Sequence, residues 1–399
     1  MKYSFFCANN SKNFDKNYFM PKVAVVIPKY GLVGGAEQFA AELTDACCSR
    51  TDFTFQVFAN RWQSDSKCIG FQKVPIISFP KFLTTISFAW FAERRLKRSP
   101  FDLVHSHERI FAADIYTLHG IPHRYWINQI RRKKTMSLYD LTTAWVERKL
   151  VYEGDCGKFI AVSELTRQIF LKAYPIDPAR VAVVHPGVHL PDDAQKNKIN
   201  IRTNIRRELG IGAGDLVVIF ASMNFEIKGL DEIFLAIARL PKQSRQLKLI
   251  VAGKGNIKKY RQAAQRAGIA GQVIFTGVVT RDRLSDLYRA GDLYMMLSQF
   301  DTFGMVVLEA MAEGLPVIVS SNVGAKDLVQ EGKNGFVIAD TSNRDLIASK
   351  IQMMFDDAVR LRMSDAAYQT ATQNTWARTA AKYSDIYTEV LDARKRKGF

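Results

Sequence analysis

Apolar positions along this chain fall in short unbroken runs separated by longer stretches with a helical period. VAVVIP at residues 23–28 is a continuous, largely β-branched run. The turn KYGLVGG follows, and then AEQFAAELTDAC, whose apolar positions recur at helical spacing. The order predicted is strand, glycine turn, helix. Further strand-like runs stand at 54–59, 102–107, 114–120, 158–163 and 181–187, with helical patterns between most of them. Such alternation predicts a parallel sheet with helices on both faces. Between residues 188 and 207 the sequence turns polar and loses any sustained apolar period, which predicts a linker. Beyond it the same grammar restarts, with buried-strand runs at 215–222, 247–253, 272–277, 293–298, 316–321 and 335–339. From residue 340 the pattern is helical to a basic, frayed RKRKGF end.

The chain is therefore expected to be α/β, with two Rossmann-like, doubly wound halves facing a central cleft. A tail covers 1–20, a first domain 21–190, a linker 191–207 and a second domain 208–365. A helical segment over 366–399 has the option of crossing back to the first domain. The length of 399 residues agrees, being too great for one ordinary core and suited to two domains of roughly 150 to 200 residues. In such sheets ligands bind beyond the carboxyl ends of the strands, where loops lead into helix N-termini.

Composition narrows the class. With 47% hydrophobic and 24% charged residues the chain is that of a folded globular protein. No uncharged apolar run approaches the ~18 residues of a membrane span. The first twenty positions lack the apolar core of a signal peptide and read as a cytoplasmic tail, with Met20 as a second candidate start. Cys7, Cys47, Cys48, Cys68 and Cys156 form neither a CxxC pair nor a zinc spacing, so reduced thiols in the cytosol are expected, Cys47 and Cys48 inert at a helix end. No metal site is expected.

A net charge of +17 draws anions: nucleic acid, anionic lipid or a phosphorylated substrate. Arg94, Arg95, Lys97 and Arg98, then Arg131, Arg132, Lys133 and Lys134, stand among Phe88, Trp90, Phe91, Tyr125 and Trp126. That mixture suits a membrane surface or a lipid-linked glycan. Solvated helix faces with the aromatics turned inward fit it equally well.

Candidate chemistry lies in the strand-to-helix turns. Gly34 and Gly35, lacking Cβ, let backbone N–H groups approach a phosphate at a positive helix end, although GLVGGA lacks the GxGxxG spacing of a dinucleotide site. Lys228 opens a helix after the first strand of the second half, where an ammonium would neutralise charge on a departing diphosphate. In SQFDTFGMVVLEAMAEGLPV, Asp301 and Glu309 flank an aromatic, a glycine and the start of a helix. Backbone N–H groups near Phe303, Gly304, Met305 and Val306 would face an anion, and Glu309, about one turn further in, would accept ribose hydroxyls.

This segment resembles the ExxxxxxxE signature of the retaining glycosyltransferases of family 4, which adopt the two-lobed GT-B fold. GGAE at Gly34, TLHG at residues 117–120, AVSE at Ala161, HPGV at His185, the IKG turn at Lys228, VAGKG and VIFTGVV extend the likeness over nearly the whole chain. The resemblance implies a nucleotide-sugar donor in the cleft, mainly on the second lobe. Lys228 and the glycine turn would hold its diphosphate, Glu309 its ribose, and Asp301 and His119 would meet the transferred sugar. It implies retention of anomeric configuration, no metal and no bound cofactor. Two departures stand out: Asp301 replaces the usual Glu and reaches about 1 Å less far, and no Arg precedes Lys228 within the turn.

The likeness is greatest to lipopolysaccharide core glucosyltransferases, which implies UDP as the donor base, a lipid-linked or phosphorylated glycan as acceptor, and a cytoplasmic enzyme peripheral on the membrane's inner face. A sucrose- or trehalose-type synthase acting on small soluble acceptors keeps the same fold. A basic nucleic-acid-binding protein is the distant reading, but no RRM, KH or helix-turn-helix pattern occurs.

Overall fold

The computed structural model describes residues 20–32, 34–49, 53–191, 194–241 and 245–396, so all of the expected tail at 1–20 except Met20, and residues 397–399, lie outside the described residues. Two all-parallel sheets organise the chain. The first has seven strands in the spatial order Ile69–Lys73, Thr54–Ala59, Lys22–Val26, Leu103–Ser106, Ile115–Leu118, Lys158–Ala161, Val181–Val183. The second has six, in the order Val273–Gly277, Leu247–Gly253, Leu216–Ser222, Leu293–Met296, Val317–Ser320, Gly335–Ile338. Each order reverses beside the strand that opens its domain, Lys22–Val26 or Leu216–Ser222, and this topological switch opens a crevice at the carboxyl edge.

Burial on both faces explains why the central strands read as unbroken apolar runs. Val23 to Val26 are all buried, as are Leu293 to Met296 and Val317 to Ser320. Each large side chain so placed is worth about 1.5–3 kcal/mol against leaving it in water. Ile69–Lys73 is an edge strand with mixed burial and a mixed sequence, IGFQK, and it has no run to announce it.

The polar stretch expected as a linker is helical over Ala194–Glu208. Ion pairs and backbone acceptors, together with the buried Ile205 and half-buried Ile201, attach it to the second lobe. Arg202 and Arg206 donate to the buried Asp292 carboxylate at 2.6 and 2.7 Å, and Arg206 also reaches the carbonyls of Ala290 and Asp215. Val217 N–H donates to the same carboxylate at 2.8 Å, which ties the helix to the strand that opens the second sheet.

The last helix, Trp376–Arg396, lies on the first lobe, against the helix Gly35–Cys48. Phe39 meets Trp376 edge-on at 5.3 Å, Tyr383 donates to or accepts from Thr117 at 3.0 Å, and Arg394 pairs with Asp114 at 2.7 Å. The helix continues to Arg396, through part of the basic end expected to fray.

The expectation of reduced thiols is corrected at one pair. Cys48 and Cys68 are joined as a disulfide, their Cα atoms 6.4 Å apart, because the end of the helix Gly35–Cys48 lies beside the approach to the edge strand Ile69–Lys73. That proximity is tertiary and leaves no local mark in the sequence. Cys47 and Cys156 are buried and take no part in that disulfide.

Candidate active site

Between the two sheet edges lies a cavity of about 440 Å³ whose walls come from both lobes. Gly35, Ala36, Phe39, His119 and Val162 line the first side, and Ser222, Lys228, Asp301 and residues 302–306 line the second. Of the residues given a catalytic or donor-binding role from the sequence, all but Gly34 and Glu309 line it.

Two helix N-termini open into this cavity from opposite lobes. The helix Gly35–Cys48 begins at the first wall, and a Cβ placed on Gly35 would meet nothing within 4 Å. Gly34 shapes the turn instead, with φ of 150°, and a Cβ there would displace the Glu37 carboxylate. Across the cavity the helix Met305–Ala312 starts from Gly304, which has φ of 91° and whose Cβ would stand 2.7 Å from Met296. Glycine is required there, and the turn it permits leaves the N–H groups of Met305 and Val306 without an acceptor among the described residues. Such unsatisfied donors, with the helix dipole behind them, form an anion site.

Lys228 projects into the same space from the turn after the strand Leu216–Ser222. Gly229 makes that turn tight: its φ is 77° and a Cβ would strike the Leu297 carbonyl. The Lys228 ammonium is ion-paired with the Asp301 carboxylate, whose other oxygen accepts from Phe303 N–H at 3.2 Å. Among the described residues no arginine lines the cavity, and Lys228 is the cation on its wall.

Glu309, one turn into the helix Met305–Ala312, lines an adjoining space of about 340 Å³ with Arg281, His189 and Tyr288. Its carboxylate has no hydrogen-bond partner among the described residues. Burial pushes its pKa above the ordinary range; Arg281 opposes that shift and Glu42 adds to it. Glu42 itself, from the first lobe, accepts from Arg281 at 3.1 Å and from His189, closing that flank of the cleft.

His119 follows the strand Ile115–Leu118 and packs edge-on against Phe39 at 4.8 Å. Its Nε2 is hydrogen-bonded to Nδ1 of the buried His107 at 2.8 Å, so Nδ1 and the backbone remain for a ligand. Burial pushes the His119 pKa down to about 3, keeping the ring neutral at physiological pH. His107 was not foreseen from the sequence. Its other nitrogen is buried without a partner, as an N–H or as a bare lone pair, and the bare lone pair is the cheaper of the two. That favours His107 as donor and His119 as the Nδ1–H tautomer.

AVSE and HPGV, noted only as motifs, hold the lobes together. Ser163 and Thr166 both donate to the Thr302 carbonyl, at 2.6 and 3.2 Å. Asp327 accepts from Glu164 N–H at 2.6 Å and is bonded to His185 at 3.1 Å. Gly324 sits so close that a Cβ would lie 2.1 Å from the Thr302 carbonyl oxygen.

The aromatic and basic residues of the first half divide. Phe88 is in the core, Phe91, Tyr125 and Trp126 are half-buried, and Trp90 is exposed under the Arg94 guanidinium.

Residues 33–191 match the family described as Glycosyltransferase Family 4, and residues 201–370 match Glycosyl transferases group 1. The chain is 25% identical over 382 residues to the lipopolysaccharide glucosyltransferase WaaG of Escherichia coli (strain K12), covering 93% of this chain and 99% of that protein. It is 28% identical over 327 residues to a D-inositol 3-phosphate glycosyltransferase of Streptomyces bingchenggensis, covering 74% of this chain and 68% of the relative. The crystal structure of WaaG superposes with a TM-score of 0.74 at 22% identity, over 92% of this chain and 99% of that one. Anabaena Alr3699/HepE, solved in complex with UDP and glucose, gives 0.70 at 20% identity over 92% and 99%.

Proposed function

Because the chain belongs to the glycosyltransferases, family 4 in its first lobe and group 1 in its second, we propose that it transfers a hexose from a UDP-sugar to a glycan acceptor with retention of anomeric configuration. The observation that carries this reading is the convergence of two opposed helix N-termini and Lys228 on one cavity that also holds Asp301 and His119. A nucleoside diphosphate supplies the anion such a cluster needs, and its ribose falls to Glu309, whose carboxylate has no hydrogen-bond partner among the described residues. UDP is favoured by the likeness to a neighbour solved with that nucleotide.

In the proposed step an acceptor hydroxyl oxygen bonds to the anomeric carbon on the face from which the diphosphate leaves. The bond from that carbon to the diphosphate oxygen breaks, and the hydroxyl proton passes to a phosphate oxygen of the leaving UDP. Lys228 and the N–H groups of Met305 and Val306 stabilise the charge that gathers there, the task a metal ion performs in other transferases. For that the ammonium moves from Asp301 to phosphate, which frees the Asp301 carboxylate to accept from a hydroxyl of the transferred sugar. Turnover is accordingly expected in the presence of a chelator.

The acceptor proposed is the core of a lipopolysaccharide or another lipid-linked glycan, on the likeness to WaaG. The enzyme would work on the cytoplasmic side of a membrane whose anionic surface attracts its basic, aromatic first lobe. Phe79 (86% exposed) and Leu138 (65%) flank a contact between Lys81 and the Tyr139 ring, an apolar and cationic rim suited to lipid headgroups. Among the described residues no helix is long and apolar enough to cross a membrane. Incubation with UDP-, GDP- and ADP-sugars and rough lipopolysaccharide, with the product's anomeric configuration read by NMR, tests the reading. Transfer from a UDP-sugar with retention is expected; inversion or dependence on another base would overturn it.

A further inference from the structure

A second cavity is larger than the donor cleft. It is a groove of about 630 Å³ on the first lobe, between the segment that follows His119 and the helix Leu138–Glu153. Tyr125, Trp145, Tyr152 and Tyr174 supply an aromatic wall, with Trp145 47% and Tyr152 50% exposed. Arg124 and Arg148 line it as well, and neither guanidinium has a carboxylate partner among the described residues, although Arg148 lies over the Tyr152 ring at 5.8 Å. Among the described residues Glu153 is the single acidic one on the wall.

The walls are fixed from beneath. Buried Glu147 accepts from Arg109 at 3.1 Å, from His123 N–H at 2.7 Å and from the Tyr174 hydroxyl at 3.1 Å, so one carboxylate ties the helix, the segment after His119 and the far wall together. Arg109 also donates to the Ile121 carbonyl at 3.4 Å. A site braced in this way loses little order when it is filled.

The groove and the donor cleft share one stretch of chain. His119 lines the cleft and Pro122 lines the groove, and their Cα atoms are at most about 11 Å apart, the reach of that stretch fully extended. The groove is therefore within reach of a sugar adjoining one held at His119.

We propose that this groove is a second acceptor subsite, in which Arg124 and Arg148 grip a phosphate on a sugar adjoining the one that is extended while the aromatic wall covers the ring. The inference rests on the transferase reading above. Guanidinium forks match phosphate in bidentate geometry, and aromatic faces suit the apolar face of a sugar. An acyl chain in the same place would leave both guanidinium groups desolvated and unpaired.

The test titrates three probes into the full chain and into an Arg124→Gln/Arg148→Gln variant: a deacylated, phosphorylated inner-core oligosaccharide, the same oligosaccharide dephosphorylated, and phosphatidylglycerol vesicles free of glycan. UDP-glucose binding is measured on the same samples. The variant should bind the phosphorylated oligosaccharide at least about ten-fold more weakly, bind the dephosphorylated one as the parent does, and keep its UDP-glucose affinity. Arg124→Lys/Arg148→Lys should recover part of the loss. Equal affinity of parent and variant for the phosphorylated probe, no binding of it by the parent, or a loss confined to vesicles would overturn the proposal. A parent that discriminates between the two oligosaccharides but fails to bind UDP-glucose would sink the donor assignment and leave the subsite standing.

Discussion

Replacing Lys228 with methionine keeps most of the stem and removes the charge, which makes it the sharpest probe of the donor cleft. Two effects should separate. In the free enzyme the substitution strips Asp301 of its ion pair, leaving the carboxylate with Phe303 N–H as its remaining side-chain bond. The two side chains are 21% and 18% exposed, so part of the lost attraction is recovered from water, and a cost of about 1–2 kcal/mol in unfolding free energy is expected. In turnover the variant lacks the cation that meets the departing diphosphate. Losing one preorganised donor of this kind costs about 3–4 kcal/mol, a fall in kcat of about 100- to 1000-fold. Adding Asp301→Asn should return much of the stability, because no unpaired charge remains, and return none of the activity. Urea melts and single-turnover transfer from the donor measure the two effects on the same preparations. A Lys228→Met enzyme with kcat within about five-fold of the parent would refute the reasoning.

Other outcomes follow from the same geometry. Glu309→Gln should raise the donor KM by about ten-fold or more with a smaller change in kcat, the loss of a charged acceptor for ribose hydroxyls; an unchanged KM would remove Glu309 from the site. Because burial raises the Glu309 pKa, donor KM in the parent should climb as pH falls, beginning above the ordinary carboxylate range, and the Gln variant should lack this climb. Gly324→Ala would place a Cβ 2.1 Å from the Thr302 carbonyl oxygen and force the lobes apart; activity should drop at least about ten-fold with loss of several degrees in Tm, and a fully active variant would show that the contact is dispensable. His105 and His119 are pushed down to about 3 by burial, whereas unfolded they titrate near 6.5. The unfolded chain then binds protons that the folded one cannot. Their contribution to stability is complete above about pH 6.5 and is lost as pH falls toward about 3, so denaturant midpoints that fail to decline between pH 7 and pH 5 would contradict it.

Most of the fold was legible in the sequence because parallel strands covered on both faces must be apolar throughout; Leu247–Gly253 and Thr54–Ala59 stand where their runs predicted. The exceptions are elements with little apolar pattern to read. Ile69–Lys73 is an edge strand, and Ala194–Glu208 adds arginines paired with one buried aspartate to the few isoleucines it packs inward. At the site, residues in strand-to-helix turns were readable, since glycine geometry and helix N-termini have local signatures. Gly35, Lys228, Asp301 and Met305 converge on one cavity as those signatures implied. His107, Thr166 and Asp327 gave no such signal, because their roles arise only when strands or lobes distant in sequence meet. The Cys48–Cys68 pairing was invisible for the same reason.

A structure of the protein with UDP-glucose bound would test the central claim most directly. The diphosphate should lie within hydrogen-bond reach of Lys228 Nζ and of the Met305 and Val306 N–H groups, with the ribose hydroxyls on Glu309. A nucleotide held elsewhere, or a diphosphate touching none of these donors, would contradict the account.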